Sequence, residues 1–342
     1  MPRLTISPEV ADALGRRSIL ALETSVIAGG LPYPANLESA QAVDGAAREG
    51  GAVPARIAVL DGALHVGLTD EQLQRVAEDT TAVKASVRDI GRVAAEGGIG
   101  ALTVSGAVHG ARLAGIEVLA VAGIGGVHRG AATSFDVSAD LPAFVRNRVA
   151  VFCAGVKSIL DAGLTLEWLE TYSVPVVGYR CDEFPGYVSV SSGRPNPHRL
   201  DDLGLIARSV LAHWDTGAEG GFLVTHPIAA EHGVPFDVLE ARIAEAEVAA
   251  REARVTGPDI TPFLLKELAR NSGGQTSAAN REVLLSTTRL GAEFAVRLFE
   301  ERLAAAAGVP AASVNVEAAG AAEVAEAAEA AEVFAGARGA TS

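Results

Sequence analysis

Apolar runs rich in β-branched residues alternate with segments of helical periodicity through most of the 342-residue chain. The apolar runs predict strands at 18–26, 56–60, 101–105, 117–122, 149–154, 174–178 and 222–225. The periodic segments predict helices at 36–48, 70–78, 88–96, 166–172, 203–214, 236–254, 262–269 and 278–303. Because parallel strands need crossover connections of helix length, this alternation predicts a single α/β/α domain, its largely parallel or mixed sheet covered by helices on both faces.

The domain organisation follows from what separates these segments. No Pro-, Gly- or Ser-rich linker divides the chain, so one α/β domain is expected over residues 1–303. Residues 304–342 are dominated by Ala, Glu and Gly and lack a stripe of large apolar side chains. A solvated helix or a disordered tail is therefore expected for this segment. In folds of this class, ligands bind outside the carboxyl ends of the strands.

Charge and composition exclude several classes of protein. The chain has 28 basic and 42 acidic residues, a net charge of −14, which disfavours nucleic acid and anionic membranes as partners. A phosphorylated small substrate stays compatible with this charge if positive charge is concentrated locally. Two cysteines form no disulfide framework or metal-type spacing, and neither a signal peptide nor an 18-residue apolar run is found, so a cytoplasmic protein is expected.

Lysine is scarce in this chain. Of the 28 basic residues, 25 are Arg, and Lys occurs only at Lys84, Lys157 and Lys266. A desolvated Lys can lose its proton and add to a carbonyl carbon, whereas Arg cannot. The three positions are therefore candidates for chemistry, although Lys266 lies in a predicted helix and is expected to be solvated.

The glycine-rich stretch 123–128 follows a predicted strand, as a dinucleotide-binding loop would. The match is poor, because His128 stands where the third glycine of that fingerprint is needed. Two interpretations stay open: a tight turn with close backbone approach, or a loop that binds phosphate or sugar.

Seven short motifs resemble those of the pseudouridine-5′-phosphate glycosidases, in order along residues 18–303. They are LETSV (22–26), LPYP (31–34), VKASVRD (83–89), GIGGVHRG (123–130), FDVSADL (135–141), CAGVKSILD (153–161) and TPFLL (261–265). The resemblance implies a homotrimeric α/β enzyme that uses a divalent metal, usually Mn²⁺. It also implies reversible cleavage of the C–C bond between ribose 5-phosphate and a base.

The resemblance assigns two catalytic residues. Lys157 matches the lysine that forms an imine with the sugar, which supplies the electron sink that a C-glycoside lacks. Glu23 matches the acid that transfers a proton to the ring oxygen or the base carbon, and apolar neighbours would raise its pKa. The alternatives are an ordinary lysine at a strand end and a solvated strand-end carboxylate.

The resemblance also implies a metal ligand and a set of substrate contacts. Asp136 matches the metal ligand, although the sequence alone would favour an Asp-rich helix N-terminus capped by Ser138. An ion pair with Asp89 is the alternative for Lys84, and an N-cap is the alternative for Asn280. His128 is a sugar contact or a buried, satisfied histidine. The implied substrate contacts are Lys84, Val104, His128, Ser138, Ala139, Asp140 and Asn280.

Three departures from the family pattern concern the acceptor, the group joined to the sugar. Val121 replaces a threonine and Val190 a common arginine, so polar partners are lost there. Gly186 replaces an alanine, which is expected to open room for a second ring of the acceptor. The favoured hypothesis is therefore C-ribosylation of an aromatic, polyketide-like acceptor, as in some family relatives from antibiotic pathways. The alternatives are an ordinary pseudouridine 5′-phosphate glycosidase and a non-catalytic sugar-phosphate-binding protein.

Overall fold

The computed structural model describes residues 3–306 except 256, 258 and 259. The strands in this part of the chain are β1 (Arg3–Ile6), β2 (Ile19–Leu22), β3 (Val53–Leu60), β4 (Ala63–Val66), β5 (Val83–Ala85), β6 (Gly100–Leu102), β7 (Val118–Ala120), β8 (Val127–His128), β9 (Ala150–Cys153), β10 (Leu160–Asp161), β11 (Val176–Tyr179), β12 (Glu183–Phe184), β13 (Arg194–Pro195), β14 (His198–Leu200) and β15 (Phe222–Thr225). The helices are α1 (Pro8–Ala13), α2 (Ser25–Gly29), α3 (Ala35–Glu49), α4 (Asp70–Glu78), α5 (Ile90–Glu96), α6 (Val104–Ala114), α7 (Ala131–Ser134), α8 (Asp140–Arg146), α9 (Ala162–Thr171), α10 (Leu203–Asp215), α11 (Phe236–Glu252), α12 (Ile260–Asn271) and α13 (Gln275–Ala306).

Eleven of the described strands form one mixed sheet. Its order is β1-β4-β3-β2-β7-β9-β15-β11-β14, with β6 paired to β3 and β5 paired to β6. The run from β3 to β14 is parallel throughout, whereas β4 and β6 lie antiparallel to β3. The sequence prediction of a mixed, largely parallel sheet is therefore confirmed.

Helix α13 covers one face of the sheet. A Cβ built on its Gly291 would lie 3.0 Å from Ala120 of β7 and 3.3 Å from Leu20 of β2, so the helix backbone approaches the strands closely. On the same face, the rings of Phe152 and Phe294 meet with centroids 4.7 Å apart. Small residues at the contact permit this close helix-on-sheet packing.

Helix α6 covers the opposite face. Its Gly110 lies against Ile57 of β3. Arg56 pairs with Leu22 and lies on the face that Leu20 turns to α13, so the next residue, Ile57, points to the opposite face. The expected helix layers on both faces are thus present, and the buried residues of the two layers form the main core.

Three neighbouring parallel strands, β2, β7 and β9, end side by side. Leu22 pairs with Ala120, and Ala120 pairs with Phe152, so the residues that follow these strands emerge at one edge. This edge carries Glu23 and the segments that follow β7 and β9. It is the edge at which parallel-sheet folds bind their ligands.

The structure corrects some element boundaries. The predicted strand 18–26 ends at Leu22, because helix α2 begins at Ser25. The predicted strand 101–105 ends at Leu102, and the helix that starts at Val104 was missed because two glycines and β-branched residues weaken its helical signal. In contrast, β15 and α4 have the predicted bounds.

The chain divides into two compact units, Met1–Glu300 and Glu301–Ser342. Residues 301–306 are helical, and residues 307–342 of the expected tail lie outside the described residues, so the tail's state stays a prediction. Among the described helices, none is long and apolar enough to cross a membrane.

Candidate active site

Two segments continue the pairing of β7 and β9 beyond the strand ends. We call residues 121–126 the glycine segment and residues 154–158 the lysine segment. The backbone N–H of Ala154 donates to the carbonyl of Ala122 at 2.9 Å. Ile124 donates to Gly155 and Lys157 donates to Ile124, both at 3.0 Å. These backbone bonds hold the lysine segment, including Lys157, at this edge of the sheet.

This pairing shows the conformation of the glycine-rich stretch. The stretch is extended and leads into β8, and no helix begins within it, so it is not a dinucleotide loop. Its glycines permit close backbone approach: a Cβ on Gly125 would collide with the side chain of Ser138 and lie 2.8 Å from Asp140 Oδ2. The expected close backbone approach is confirmed, although the segment does not turn, and binding of phosphate or sugar by this segment stays a prediction.

A third segment, residues 184–188, packs against the lysine segment. Gly155 and Gly186 form a β-bridge, and Ser158 Oγ donates to the Gly186 carbonyl at 2.7 Å. Gly155 has φ +82°, and a Cβ there would collide with the carbonyl oxygen of Pro185. Only glycine fits this position, so the backbone two residues before Lys157 is held in one conformation.

Glu23 is a buried carboxyl at the end of β2. It is 4% exposed, and Ser25 Oγ donates to its Oε2 at 2.5 Å. Desolvation raises the pKa of Glu23, against the opposing effects of the Lys157 charge and the Ser25 hydrogen bond. The alternative of a solvated strand-end carboxylate is therefore wrong, because Glu23 is buried.

Arg56 supports the backbone of Glu23 from the neighbouring strand. Its guanidinium is buried, donates to the Glu23 carbonyl at 3.2 Å and to the Ala40 carbonyl at 2.6 Å, and pairs with Asp44 at 2.8 Å. Sequence reasoning did not identify this residue. The available signal was a charged side chain inside an otherwise apolar strand.

Lys84 lies on β5 with an exposed side chain. Nearby protein still desolvates its ammonium and lowers its pKa, as does the charge of Lys157, while Glu23 acts in the opposite direction. The alternative ion pair with Asp89 does not form, because Asp89 accepts from Ser86 and pairs with Arg88 instead. The three side chains Glu23, Lys84 and Lys157 thus form one electrostatic cluster, while Lys266 is exposed on α12 as expected.

Asp140 joins three parts of the site. It is 4% exposed, and its two oxygens accept from the backbone N–H groups of Ser105, at 2.9 Å, and Gly125, at 2.8 Å. Its charge also acts on Glu23 and Lys84. The carboxylate therefore fixes α6 and the glycine segment at the cluster.

The other expected substrate contacts on this side lie at helix starts. The Ser138 hydroxyl accepts from the backbone N–H of Asp140 at 3.2 Å, but Ser138 lies one residue before the N-cap of α8, so the expectation that Ser138 is the cap is wrong. Ala139 is half-buried at the N-cap of α8, and the side chain of Val104 is buried at the first residue of α6.

His128 and Asp136 form a second polar group beside Lys157. His128 Nδ1 lies 3.7 Å from Asp136 Oδ2, and Thr261 Oγ1 lies 3.3 Å from Nε2. Desolvation lowers the pKa of His128; Asp136 opposes this effect and the Lys157 charge adds to it. A neutral, half-buried imidazole follows, which can exchange hydrogen bonds with a sugar at neutral pH.

A metal fits Asp136 in only one way. In the part of the chain that the structure describes, no group of three or more His, Cys, Asp or Glu side chains can hold a metal ion. Asp136 is a single carboxylate with 39% of its side chain exposed. Such a donor suits a hard cation that keeps most of its water shell, and excludes a closed structural metal site.

Asn280 lies inside α13, in the second turn, so the N-cap alternative is wrong. Its side-chain oxygen accepts from the hydroxyl of Tyr187 at 2.5 Å. Tyr187 was also missed by sequence reasoning, because only the fold brings residues 187 and 280 together.

The three expected acceptor residues lie in different environments. The Val121 side chain is fully buried, while Val190 is 41% exposed. Gly186 does not free space for a larger acceptor: a Cβ there would lie 2.5 Å from the carbonyl oxygen of Ser191, so chain already occupies that volume. The expected room for a second ring at Gly186 is therefore a wrong prediction.

Comparison with known proteins gives consistent results. Residues 9–297 match the family described as indigoidine synthase A like protein. A pseudouridine-5′-phosphate glycosidase from Dickeya dadantii is 47% identical over 293 residues, covering 85% of this chain and 93% of that protein. One from Nocardioides sp. is 45% identical, covering 86% of this chain and 96% of that protein.

Solved structures agree with this relationship. The crystal structure of the prealnumycin C-glycosynthase AlnA in complex with ribulose 5-phosphate superposes with a TM-score of 0.83 at 42% identity, covering 89% of this chain and 99% of that one. An indigoidine synthase A-like protein from Thermotoga maritima gives a TM-score of 0.79 at 33% identity, covering 87% and 97%. A non-catalytic binding protein is thereby set aside. The chain belongs to the indigoidine synthase A-like family and is an enzyme of the C-glycosidase and C-glycosynthase type.

Proposed function

We propose that this enzyme is a pseudouridine 5′-phosphate glycosidase, which releases uracil and ribose 5-phosphate through an imine on Lys157. The observation that carries the proposal is the buried carboxyl of Glu23, whose charge state is coupled to Lys157 and Lys84 at the carboxyl edge of the sheet. The curated relatives bearing the glycosidase name support this activity over the favoured sequence hypothesis of C-ribosylation.

The reaction needs one nucleophile and one proton donor. Lys157 Nζ bonds to C1′ of the sugar as the bond from C1′ to the ring oxygen breaks, and that oxygen takes the proton of Glu23. The ionised Glu23 takes a proton from the alkylated nitrogen, whose lone pair then forms the imine as the C1′–C5 bond to uracil breaks. Carbon C5 takes that proton back from Glu23, which ends as the carboxylate. Water hydrolyses the imine and releases ribose 5-phosphate and the free lysine.

The electrostatics of the cluster suit these steps. A raised pKa favours the protonated, acidic form of Glu23, and the positive charge of Lys84 suits a sugar or phosphate oxygen. Asp140 holds the glycine segment and α6 around the sugar through two backbone N–H groups. His128, held neutral by desolvation, can accept a hydrogen bond from a sugar hydroxyl.

C-ribosylation of an aromatic acceptor is the second candidate function. The similarity to the C-glycosynthase AlnA favours it, at 42% identity. The same lysine chemistry serves both directions, because an imine on C1′ is attacked by a nucleophilic ring carbon in the reverse reaction. What separates the two functions is the acceptor.

Parallel assays test this choice. We expect cleavage of pseudouridine 5′-phosphate to be faster, by at least about tenfold, than coupling of ribose 5-phosphate to a polycyclic aromatic acceptor. Mass spectrometry of both reactions, at equal enzyme concentration, measures the ratio. Efficient coupling without cleavage would overturn the glycosidase proposal in favour of the synthase.

We further propose that Asp136 holds the divalent metal, with Mn²⁺ as the expected ion. A hydrated cation there would supply positive charge that orients the substrate. Chelator treatment is expected to abolish activity, and Asp136→Ala to need at least about tenfold more Mn²⁺ for half-maximal activity. Exposed Asp237→Ala on α11 is the control. Full activity of metal-stripped enzyme would leave Asp136 without this role.

The homotrimer and the cytoplasmic location implied by the sequence stay predictions. Light scattering of the purified protein and cell fractionation would check them.

A further inference from the structure

The hydrogen bond between Tyr187 and Asn280 links the third segment to helix α13. The tyrosine hydroxyl donates to Asn280 Oδ1 at 2.5 Å, and only 8% of Tyr187 is exposed. The two residues are 93 positions apart, and the bond lies within electrostatic reach of Glu23. It is therefore part of the cluster described above.

The tyrosine ring has little freedom to move. It lies directly over Gly123, where a Cβ would collide with the ring edge. The Tyr187 backbone has φ +68°, in the left-handed region, and its N–H donates to the Ala154 carbonyl at 2.8 Å. Burial and the charge of Glu23 also raise the pKa of Tyr187, so the hydroxyl stays a donor. Its direction of donation is thus set by the fold.

The hydrogen bond that Tyr187 donates to Asn280 Oδ1 determines which group of the Asn280 side chain is left to bind a ligand. The carboxamide has one oxygen, which accepts, and one amino group, which donates. With the oxygen held by Tyr187, the amino group is the part left for a substrate. No hydrogen bond from Asn280 Nδ2 to protein is found among the described residues.

We propose that Tyr187 is a specificity-determining positioning residue, which orients Asn280 to donate to a carbonyl oxygen on the base. The inference rests on the proposed function, in which Asn280 approaches the base. The favoured substrates are oxo-pyrimidines and other aromatic rings that present a carbonyl oxygen to Asn280. A base with an amino group at that edge meets donor against donor, and is rejected because both groups lose a partner.

Tyr187→Phe removes the hydroxyl and keeps the ring over Gly123. We expect the KM for pseudouridine 5′-phosphate to rise roughly three- to tenfold, with a smaller change in kcat. The freed amide can turn its oxygen to an amino group, so the preference for inhibition by uracil over cytosine should fall by a similar factor. Steady-state kinetics with these two free bases measures both effects.

Asn280→Ala distinguishes positioning from packing. If Tyr187 acts through Asn280, adding Tyr187→Phe to Asn280→Ala causes no further rise in KM. An equal rise in both backgrounds, or an unchanged uracil-to-cytosine ratio in Tyr187→Phe, overturns the inference. Tyr172→Phe, which removes a hydroxyl from an exposed tyrosine at the C-cap of α9, is the matched control.

Borohydride trapping separates this inference from the proposed function. The adduct of ribose 5-phosphate with Lys157 needs no base, so it reports the sugar half of the site alone. If the unmodified enzyme neither traps the sugar nor cleaves pseudouridine 5′-phosphate, the proposed function and the inference both fall. If it does both and the Tyr187 variant keeps its base preference, the inference alone falls.

Discussion

Lys157→Arg is expected to lower turnover roughly 10⁴-fold or more and to abolish the sugar adduct that borohydride traps. Arginine keeps the positive charge beside Glu23 and His128, but its guanidinium does not lose a proton and cannot form the imine. Mass spectrometry of the reduced enzyme, after incubation with ribose 5-phosphate, locates the adduct on the lysine segment.

Lys266→Arg is the matched control for this experiment. It is the same substitution at an exposed position of α12, and should leave adduct and turnover unchanged. Lys84→Arg is informative in a different way. If Lys84 contacts phosphate or sugar through its charge, arginine there should weaken substrate binding and still allow the adduct on Lys157. Full activity in Lys157→Arg would rule out imine catalysis at that residue.

Glu23→Gln is expected to lower turnover about 10²- to 10⁴-fold and to raise stability at neutral pH. The amide keeps the shape of the side chain and an oxygen for Ser25, but supplies no acidic proton. Because desolvation raises the folded-state pKa of Glu23 above its ordinary value of 4.5, the folded protein binds this proton more tightly than the unfolded chain does. The native glutamate therefore loses stability as pH rises through the folded-state pKa.

The pH dependence of unfolding tests this sign. The melting temperature of Glu23→Gln should exceed that of the unmodified enzyme, by a margin that grows as the pH rises above the ordinary glutamate pKa of 4.5. Glu38→Gln, at an exposed position of α3, should show no such trend. A margin that is constant with pH, or that shrinks as pH rises, would contradict a buried carboxyl with a raised pKa.

The burial that raises the pKa of Glu23 also lowers the stability of the folded protein as pH rises. Glu23 is buried without an ion pair of its own in contact, and Arg56 donates to its backbone carbonyl rather than to its carboxylate. A direct pairing of Arg56 with the carboxylate would lower the pKa of Glu23 and remove its acidic proton at neutral pH. The arrangement instead fixes the position of Glu23 and leaves its proton available.

Local pattern was sufficient for much of the fold. Strand β15 and helix α4 have the predicted bounds, because each is a short segment with a single periodicity between clear boundaries. The scarcity of lysine pointed to Lys157 and Lys84 before any contact was known, and the motifs of residues 18–303 identified the family. Such signals are readable because each depends on residue types within a few positions of one another.

Other features depend on contacts between distant residues. The approach of Arg56 to Glu23 requires β3 to pair with β2, and the bond from Tyr187 to Asn280 requires the start of α13 to lie beside residues 184–188. Gly186 was expected to open space, yet the chain itself fills it, since its neighbour Ser191 turns back onto that position. Residue types along a chain do not reveal which strands pair or which volumes the backbone occupies. Strand pairing and occupied volume depend on the packing of the whole domain, because two groups compete for one volume only after folding has brought them together.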